Sequence, residues 1–258
     1  MATNAVQRHR RFNAIGFLVG VIAAAWLISA WVELSGNAAL LHHHAVYESD
    51  RPLWLAALAV LAAWQLMTAA MMLPSSLGFI RLYATTAARA PSFTIALTLF
   101  LLAYFAVWSA FALAALSGDM LIHRAVDSWP WLAAHSSLIP AATLAVAAIY
   151  QFSPLKDACL KACRHPGIYL MHHYRRGALN GLRIGLGHAL YCLGCCWALM
   201  LVMFAAGVAH LAWMGLLAVL MFVEKAIPAG DRVVMPAGAA FGVLACIALW
   251  APGVIPGL

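Results

Sequence analysis

Long apolar stretches, separated by short polar segments, dominate the chain from residue 13 to residue 251. Each of these stretches is about 20 residues long, the length that an α-helix needs to cross the hydrocarbon core of a bilayer. The seven stretches cover residues 13–34, 53–79, 93–116, 130–152, 185–208, 210–227 and 234–251. The pattern therefore predicts an all-α fold, a polytopic membrane helix bundle with about seven transmembrane helices. The fifth and sixth stretches are joined so tightly that they could form one helical hairpin.

The composition agrees with a membrane protein. Of the 258 residues, 66% are hydrophobic and 9% are charged, whereas soluble domains average about 25% charged residues. So few charges cannot cover a water-facing surface, which makes the lipid bilayer the expected partner of most of the surface. The N-terminal segment resembles a signal peptide, but its apolar run is too long and lacks a small-residue cleavage site, so we expect a retained first helix.

The positive charges indicate the orientation. With the N-terminus in the cytoplasm, 13 of the 15 Lys and Arg residues lie on the cytoplasmic side, and only Arg51 and Arg124 lie outside. Cytoplasmic loops of membrane proteins carry this excess of basic residues. The count predicts one integral membrane domain over residues 1–258 with its C-terminus outside. Because the net charge of +7 follows from orientation and from affinity for anionic headgroups, no nucleic-acid partner is expected.

The longest connection, about residues 153–183, is predicted to be cytoplasmic and to contain a short amphipathic helix. Ser153 is a suitable N-cap, Pro154 suits the first turn, and Asp157 complements the positive end of the helix dipole. The Pro166-Gly167 pair should stop this helix. Small residues at the start of the next span should let that span approach a neighbouring helix closely, and they are Gly181, Gly185 and Gly187.

Five of the six cysteines lie in this part of the chain. Cys159 and Cys163 are four residues apart and so share one face of the short helix. Farther along, one histidine and three cysteines occupy an arc of roughly 100° on the fifth span. These four residues are His188, Cys192, Cys195 and Cys196.

Thiolates combined with imidazole suit soft or borderline metals. The cytosol keeps thiols reduced, which argues against structural disulfides there, and nearby Lys and Arg favour the thiolate form. Copper(I) and zinc are the expected ions. The predicted metal ligands are Cys159, Cys163, His188, Cys192, Cys195 and Cys196. The competing interpretation is that the cysteines are small apolar packing residues, which is how we interpret Cys246.

The sequence around these residues also resembles that of a known family. The chain resembles a bacterial family described as predicted metal-binding integral membrane proteins, a domain of unknown function, over roughly residues 60–228. The block "YCLGCCWALM" is its most specific part, accompanied by "WQLMTAAMMLPS" (64–75), "YQFSPLKDACLKACRHP" (150–166) and "LAWMGLLAVLMFVEK" (211–225). The resemblance implies a multi-helix protein of the bacterial cytoplasmic (inner) membrane with a metal at the cysteines, and it implies no established activity.

Polar and thioether side chains near the predicted cysteine site could support it. Met67, Met71 and Met72 could extend the site as soft donors, although methionine also simply fills irregular gaps. Pro74 should kink or end the second span. Glu224 is expected to be paired, because an unpaired carboxylate is costly at membrane depth.

The next residue, Lys225, is expected to point away from Glu224 on the helix. Arg183 or a metal-bound His188 therefore remain as candidate partners of Glu224. Such a carboxylate would fix the tautomer of a ligating histidine.

A second, outer metal site is a weaker hypothesis. Histidines with carboxylates suit Zn(II) or Cu(II) in an oxidising compartment, but no fixed spacing joins the residues concerned. The candidates are His42, His44, His123 and His135, accompanied by Glu33 and Asp119.

The leading functional hypothesis is metal handling. The protein would bind copper, or alternatively zinc, at the cytoplasmic interface and exchange it with a metal-donor or metal-acceptor protein. The alternatives are a thiol-redox or cofactor-holding membrane subunit and a structural scaffold whose cysteines only pack. No enzyme activity is expected, because the sequence contains no nucleophile elbow, paired-carboxylate motif or phosphate-binding loop.

Overall fold

The structure is a computed structural model, and it describes residues 2–36, 52–88, 90, 92–206, 210–251 and 253–255. Within these ranges the chain forms ten helices and no strand. We number them α1 (Ala2–Leu34), α2 (Leu53–Ala87), α3 (Phe93–Ser128), α4 (Pro130–Ala134), α5 (Leu138–Gln151), α6 (Pro154–Arg164), α7 (Pro166–His173), α8 (Leu179–Ala206), α9 (Leu211–Ala226) and α10 (Asp231–Trp250). The all-α expectation is confirmed.

Among the described helices, α1, α2, α3, α8 and α10 are long and apolar enough to cross a membrane. The expected number of about seven spans is not confirmed. The stretch predicted at 130–152 is divided between α4 and a 14-residue α5, and α9 has 16 residues. At about 1.5 Å per residue, both helices are shorter than a hydrocarbon core of about 30 Å. Helices α5 and α6 would count as one broken span, with a bend of 65° between them.

Apolar side chains cover much of the outer surface. Trp250 is 89% exposed, Leu34 84% and Ile149 72%. Exposing so many large apolar groups to water would be unfavourable, and contiguous patches of this kind mark contact with lipid or with protein. The outer surface is therefore compatible with a membrane environment.

Helix α8 lies at the centre of the bundle and packs directly on α3. A Cβ atom placed on Gly181 would overlap the backbone of Ala96, and one on Gly185 would overlap the backbone of Phe100. The predicted close approach at these glycines is confirmed. A Cβ on Gly187 would instead meet the hydroxyl group of Tyr169 on α7.

Helix α6 begins as its sequence predicts. The Ser153 hydroxyl accepts a hydrogen bond from Leu155 N at 3.1 Å, Pro154 occupies the first turn, and Asp157 lies near the N-terminal end. Pro166 ends α6 but also begins α7, because proline is well suited to the first helical position. The segment expected to be a long loop is thus mostly helical. Pro74 does not end α2, which continues to Ala87.

Candidate metal centre

The four predicted ligands on α8 lie on one buried face of that helix. Cys192 and Cys195 are fully buried, and Cys196 and His188 are 1% and 3% exposed. Their spacing of four, three and one residues places them together on the side of α8 that faces the interior of the bundle. The thiol face therefore points into protein and away from the outer surface.

Helix α6 brings its two cysteines to this face. The side chain of Cys163 packs against the core that contains Cys195, and the two thiols lie close enough to interact electrostatically. The sulfur of Cys159 packs against Gly194, where a Cβ atom would lie 2.5 Å from it. The structure thus brings together sulfur atoms from two segments that are about 30 residues apart in sequence. We call Cys163, Cys192, Cys195 and Cys196 the cysteine cluster.

The thiols of the cysteine cluster do not converge on one point. Cys195 and Cys196 donate hydrogen bonds to the Cys192 carbonyl oxygen, at 3.0 and 2.8 Å. Among the described residues, no group of three or more His, Cys, Asp and Glu side chains is arranged so that it could hold a metal ion. Shared coordination would require the thiols to rotate away from this helix carbonyl.

Lys225 of α9 occupies the space among the sulfurs. Its Nζ lies 3.2 Å from Cys192 Sγ, 3.5 Å from Cys196 Sγ and 3.3 Å from Ser75 Oγ. Lys225 points away from Glu224, as expected, but its contact with the cysteine sulfurs was not predicted. A signal was present in the sequence, because Met214, Leu217, Met221 and Lys225 follow a helical spacing of three, four and four, and all four are buried. The lysine is the last member of a core-facing stripe.

Glu224 faces a different side of α9, toward α5 and α6. Its carboxylate accepts hydrogen bonds from Lys156 Nζ at 2.7 Å and from Gln151 Nε2 at 3.0 Å. Lys156 and Glu224 are both 1% exposed. The predicted pairing is confirmed, but the predicted partners, Arg183 and His188, are wrong. Glu224 holds α6 against α9 and does not orient a histidine.

His188 lies in an aromatic pocket one turn before Cys192. Its ring stacks on Phe79 with centroids 3.9 Å apart, and the rings of Phe100 and Tyr104 lie 5.9 and 5.7 Å away. Its Nε2 is buried and has no hydrogen-bond partner in the described structure. An unpaired buried nitrogen is costly, and this one, on the turn before Cys192, is available as a ligand.

Helix α7 covers this pocket. The Tyr169 ring packs on Phe79 with centroids 5.8 Å apart. Burial raises the pKa of the Tyr169 phenol, the nearby Tyr191 raises it further, and Arg183 opposes both effects. Tyr169 therefore stays neutral at physiological pH and closes the pocket without adding charge.

Of the methionines considered from sequence, Met72 reaches the cysteine cluster. Met72 Sδ lies 3.6 Å from Cys196 Sγ and 4.0 Å from Lys225 Nζ. Met71 and Met67 are equally buried in the core. Tyr104 and Ser76 complete the surroundings of Cys192, with their oxygens 3.2 and 3.9 Å from its sulfur. None of these contacts is visible from sequence periodicity, because each joins two helices.

The histidines proposed for the outer metal site that lie within the described residues contact groups in their own helix or turn. His123 contacts Asp119, with Nδ1 3.5 Å from a carboxylate oxygen, and His135 Nδ1 lies 2.8 Å from the Trp131 carbonyl oxygen. Glu33 accepts a hydrogen bond from Leu211 N at the start of α9. The candidates His42 and His44 lie outside the described residues. The outer site stays a prediction.

Comparison with known proteins assigns the family. The model of the PpoB2 family, described as copper chaperone, matches residues 61–248, which is well over half of the chain and includes the whole cysteine cluster. No curated protein and no solved structure matches the chain. The copper in the family description agrees with the expected metal handling. The chain belongs to the PpoB2 copper chaperone family.

Proposed function

We propose that this protein is an integral membrane copper chaperone that holds Cu(I) at the cysteine cluster and passes it to an acceptor protein. The observation that carries the proposal is that Cys163 of α6 packs against the core beside Cys195 of α8, on the helix face that also bears Cys192 and Cys196. The cysteines of α8 are buried, and the half-buried Cys163 of α6 adds a sulfur from a second helix. This role requires no catalytic step.

The donor set favours copper over zinc. Thiolate and thioether sulfurs are soft ligands that select Cu(I), and Met72 adds a thioether to the thiols. His188 offers an unpaired buried nitrogen one turn away. We place Cys192, Cys195, Cys196 and Cys163 as the principal ligands, and His188 or Met72 as an additional donor. Cys159, packed on Gly194, sets the distance between α6 and α8.

Copper binding requires two local movements. The thiols of Cys195 and Cys196 must leave the Cys192 carbonyl oxygen, and Lys225 must withdraw from the sulfurs of Cys192 and Cys196. Two thiols that bind one Cu(I) release two protons, and the resulting complex has a net charge of −1. The displaced Lys225 ammonium remains close enough to balance this charge. The same cation can return to the sulfurs when copper leaves, which suits a reversible carrier.

A binding experiment on the purified full-length protein tests this role. Under anaerobic conditions, we expect wild-type protein to take up about one Cu(I) per chain or more from a chelator-buffered solution. Cys192→Ser combined with Cys195→Ser should lose this copper because two principal sulfurs are removed. Cys246→Ser is the matched control, since Cys246 is exposed on α10. An unchanged copper content of the double variant relative to wild type, or no copper in wild-type protein, would refute the proposal, and a parallel zinc titration compares the two metals.

The proximity of Cys163 to Cys195 also favours a second candidate function, thiol redox chemistry. Two thiols that form one disulfide lose two electrons and two protons to an oxidant. We expect diamide to remove two free thiols from wild-type protein and none of this pair from Cys163→Ser. If redox is the main function, wild-type protein will cycle in this way but bind no Cu(I).

A further inference from the structure

A regular register relates α2 to α8 beyond the cysteine cluster. Ser76 lies opposite Cys192, with their side-chain atoms 3.9 Å apart, and Met72 lies opposite Cys196 at 3.6 Å. Farther along, the rings of Trp64 and Phe204 have centroids 5.9 Å apart. From one pair to the next, the residue number falls by four or eight on α2 and rises by the same amount on α8. The register therefore places Thr68 opposite Met200, one turn beyond the cysteine cluster.

Helix α9 contributes a third side chain at the height of Thr68 and Met200 in the bundle. Lys225 contacts Met72 and Ser75, while Leu211 at the other end of α9 bonds Glu33 near the end of α1. Trp26, seven residues before Glu33 on α1, donates a hydrogen bond to the Ala70 carbonyl oxygen of α2. Helices α9 and α2 therefore run in the same direction. Met221, one turn before Lys225, lies at the level of Thr68.

The three side chains at this height are fully buried, and one of them has a polar group that is unpaired among the described residues. Thr68, Met200 and Met221 are each completely buried. The Thr68 hydroxyl has no hydrogen-bond partner in the described structure, although a threonine in a helix can usually bond a carbonyl oxygen of the preceding turn. A buried hydroxyl without a partner is costly and indicates a missing ligand or water. The side chains that the register places beside it carry thioether sulfurs, which select soft univalent cations.

We propose that Met72, Met200 and Met221, with Thr68 beside them, form a second site for a soft univalent cation, one helical turn from the cysteine cluster. We call these four residues the methionine layer. The inference rests on the proposed function, because Met72 contacts Cys196 and so connects the two sites. An ion released by the thiolates could bind the thioethers without entering lipid. The methionine layer is then the next position on a path for copper through the bundle.

Silver(I) is the probe, because it shares the soft chemistry of Cu(I) and does not change its oxidation state. Full-length protein is purified, equilibrated with Ag(I) and analysed for bound metal, and X-ray absorption reports the number of sulfur neighbours. We expect wild-type protein to hold about two ions per chain, one at each site. Met200→Leu with Met221→Leu should hold about half as many, because both thioethers are lost and leucine keeps the volume. Met171→Leu with Met235→Leu is the control, since both side chains are exposed on the surface.

A cysteine variant separates this inference from the proposed function. Cys192→Ser, Cys195→Ser and Cys196→Ser combined should retain about one ion, bound through thioethers. If wild-type protein binds one ion that only the cysteine variant loses, the methionine layer is refuted and the proposed function stands. If the methionine variant loses an ion and the cysteine variant loses none, the cysteine site is refuted. Thermal unfolding of each variant, and the single variants Met200→Leu and Met221→Leu, exclude loss of fold as the cause.

Discussion

At the scale of single residues, two neighbouring charges at the end of α9 have separate roles. Glu224 forms a buried ion pair with Lys156, and Lys225 inserts its ammonium group among the cysteine sulfurs. Consecutive residues on a helix point about 100° apart, so both cannot face the same neighbour. The carboxylate connects α9 to α6, which carries Cys159 and Cys163. The ion pair therefore helps to set the distance between the two sources of sulfur.

Breaking this ion pair should destabilise the protein strongly. Glu224→Gln leaves the Lys156 ammonium buried without a counter-charge, which typically costs about 3–5 kcal/mol. We expect a clearly lower thermal unfolding midpoint in detergent. Combining Glu224→Gln with Lys156→Met should recover much of the loss, because no unpaired buried charge remains.

Lys161→Gln provides the control for that experiment. Lys161 pairs with Asp157 at the surface, where the two side chains are 68% and 60% exposed. Exposed pairs contribute about 0–1 kcal/mol, so this variant should unfold close to wild type. An equally small effect of Glu224→Gln would show that the buried pair does not hold α6 in place.

At the scale of helices, the site depends on how closely α8 can pack. Gly181 and Gly185 allow the backbone of α3 to lie against α8, and Gly194 accommodates Cys159 from α6. Helix α8 therefore contacts α3 and α6 through glycines while its cysteines face the interior. Small residues at such contacts are the usual means by which membrane helices approach each other.

Gly185→Ala should separate α8 from α3. The added methyl group overlaps the backbone of Phe100, which cannot move aside as a flexible side chain could. Overpacking of this kind costs about 1–3 kcal/mol, and we expect lower thermal stability and weaker copper retention. In contrast, Gly78→Ala on α2 meets no atom within 4 Å and should be neutral or stabilising by up to about 1 kcal/mol. Equal unfolding midpoints for the two variants would contradict the close packing.

At the scale of the whole molecule, the long axes of the helices alternate in direction. Helix α3 runs parallel to α8, because Gly181 and Gly185 face Ala96 and Phe100 in order. Helix α10 runs antiparallel to α5, with Gly238 at Gln151 and Gly242 at Ala148. The short helices α5 and α9 fit this alternation although neither has the length of a span. Tilting of longer neighbours or local thinning of the bilayer would allow short helices to cross.

Accessibility labelling tests whether α9 crosses the membrane. In a Cys246→Ser background, Ala212→Cys and Ala229→Cys place exposed thiols at the two ends of α9. If α9 crosses, a membrane-impermeant maleimide should label Ala212→Cys from outside intact cells and Ala229→Cys only after the membrane is opened. Labelling of both positions from the same side would show that α9 does not cross.

Much of the site was predictable from sequence because its donors are close together in the chain. The spacing of Cys192, Cys195 and Cys196 determines that they share a face of α8, and the Ser153 cap determines where α6 begins. The contacts of Lys225 were not predictable in this way. They depend on the rotation of α9 relative to α2 and α8, which local periodicity does not specify.

The sequence by itself determined the helical class, the apolar surface and the thiol face of α8, because each follows from composition or from the 3.6-residue repeat within one segment. Only the tertiary structure decided that Cys163 packs beside Cys195, that Lys156 pairs with Glu224 and that Lys225 lies among the sulfurs. These contacts join residues up to 68 positions apart. Their formation depends on how neighbouring helices rotate and slide to fill the interior, which is a property of the packed bundle as a whole.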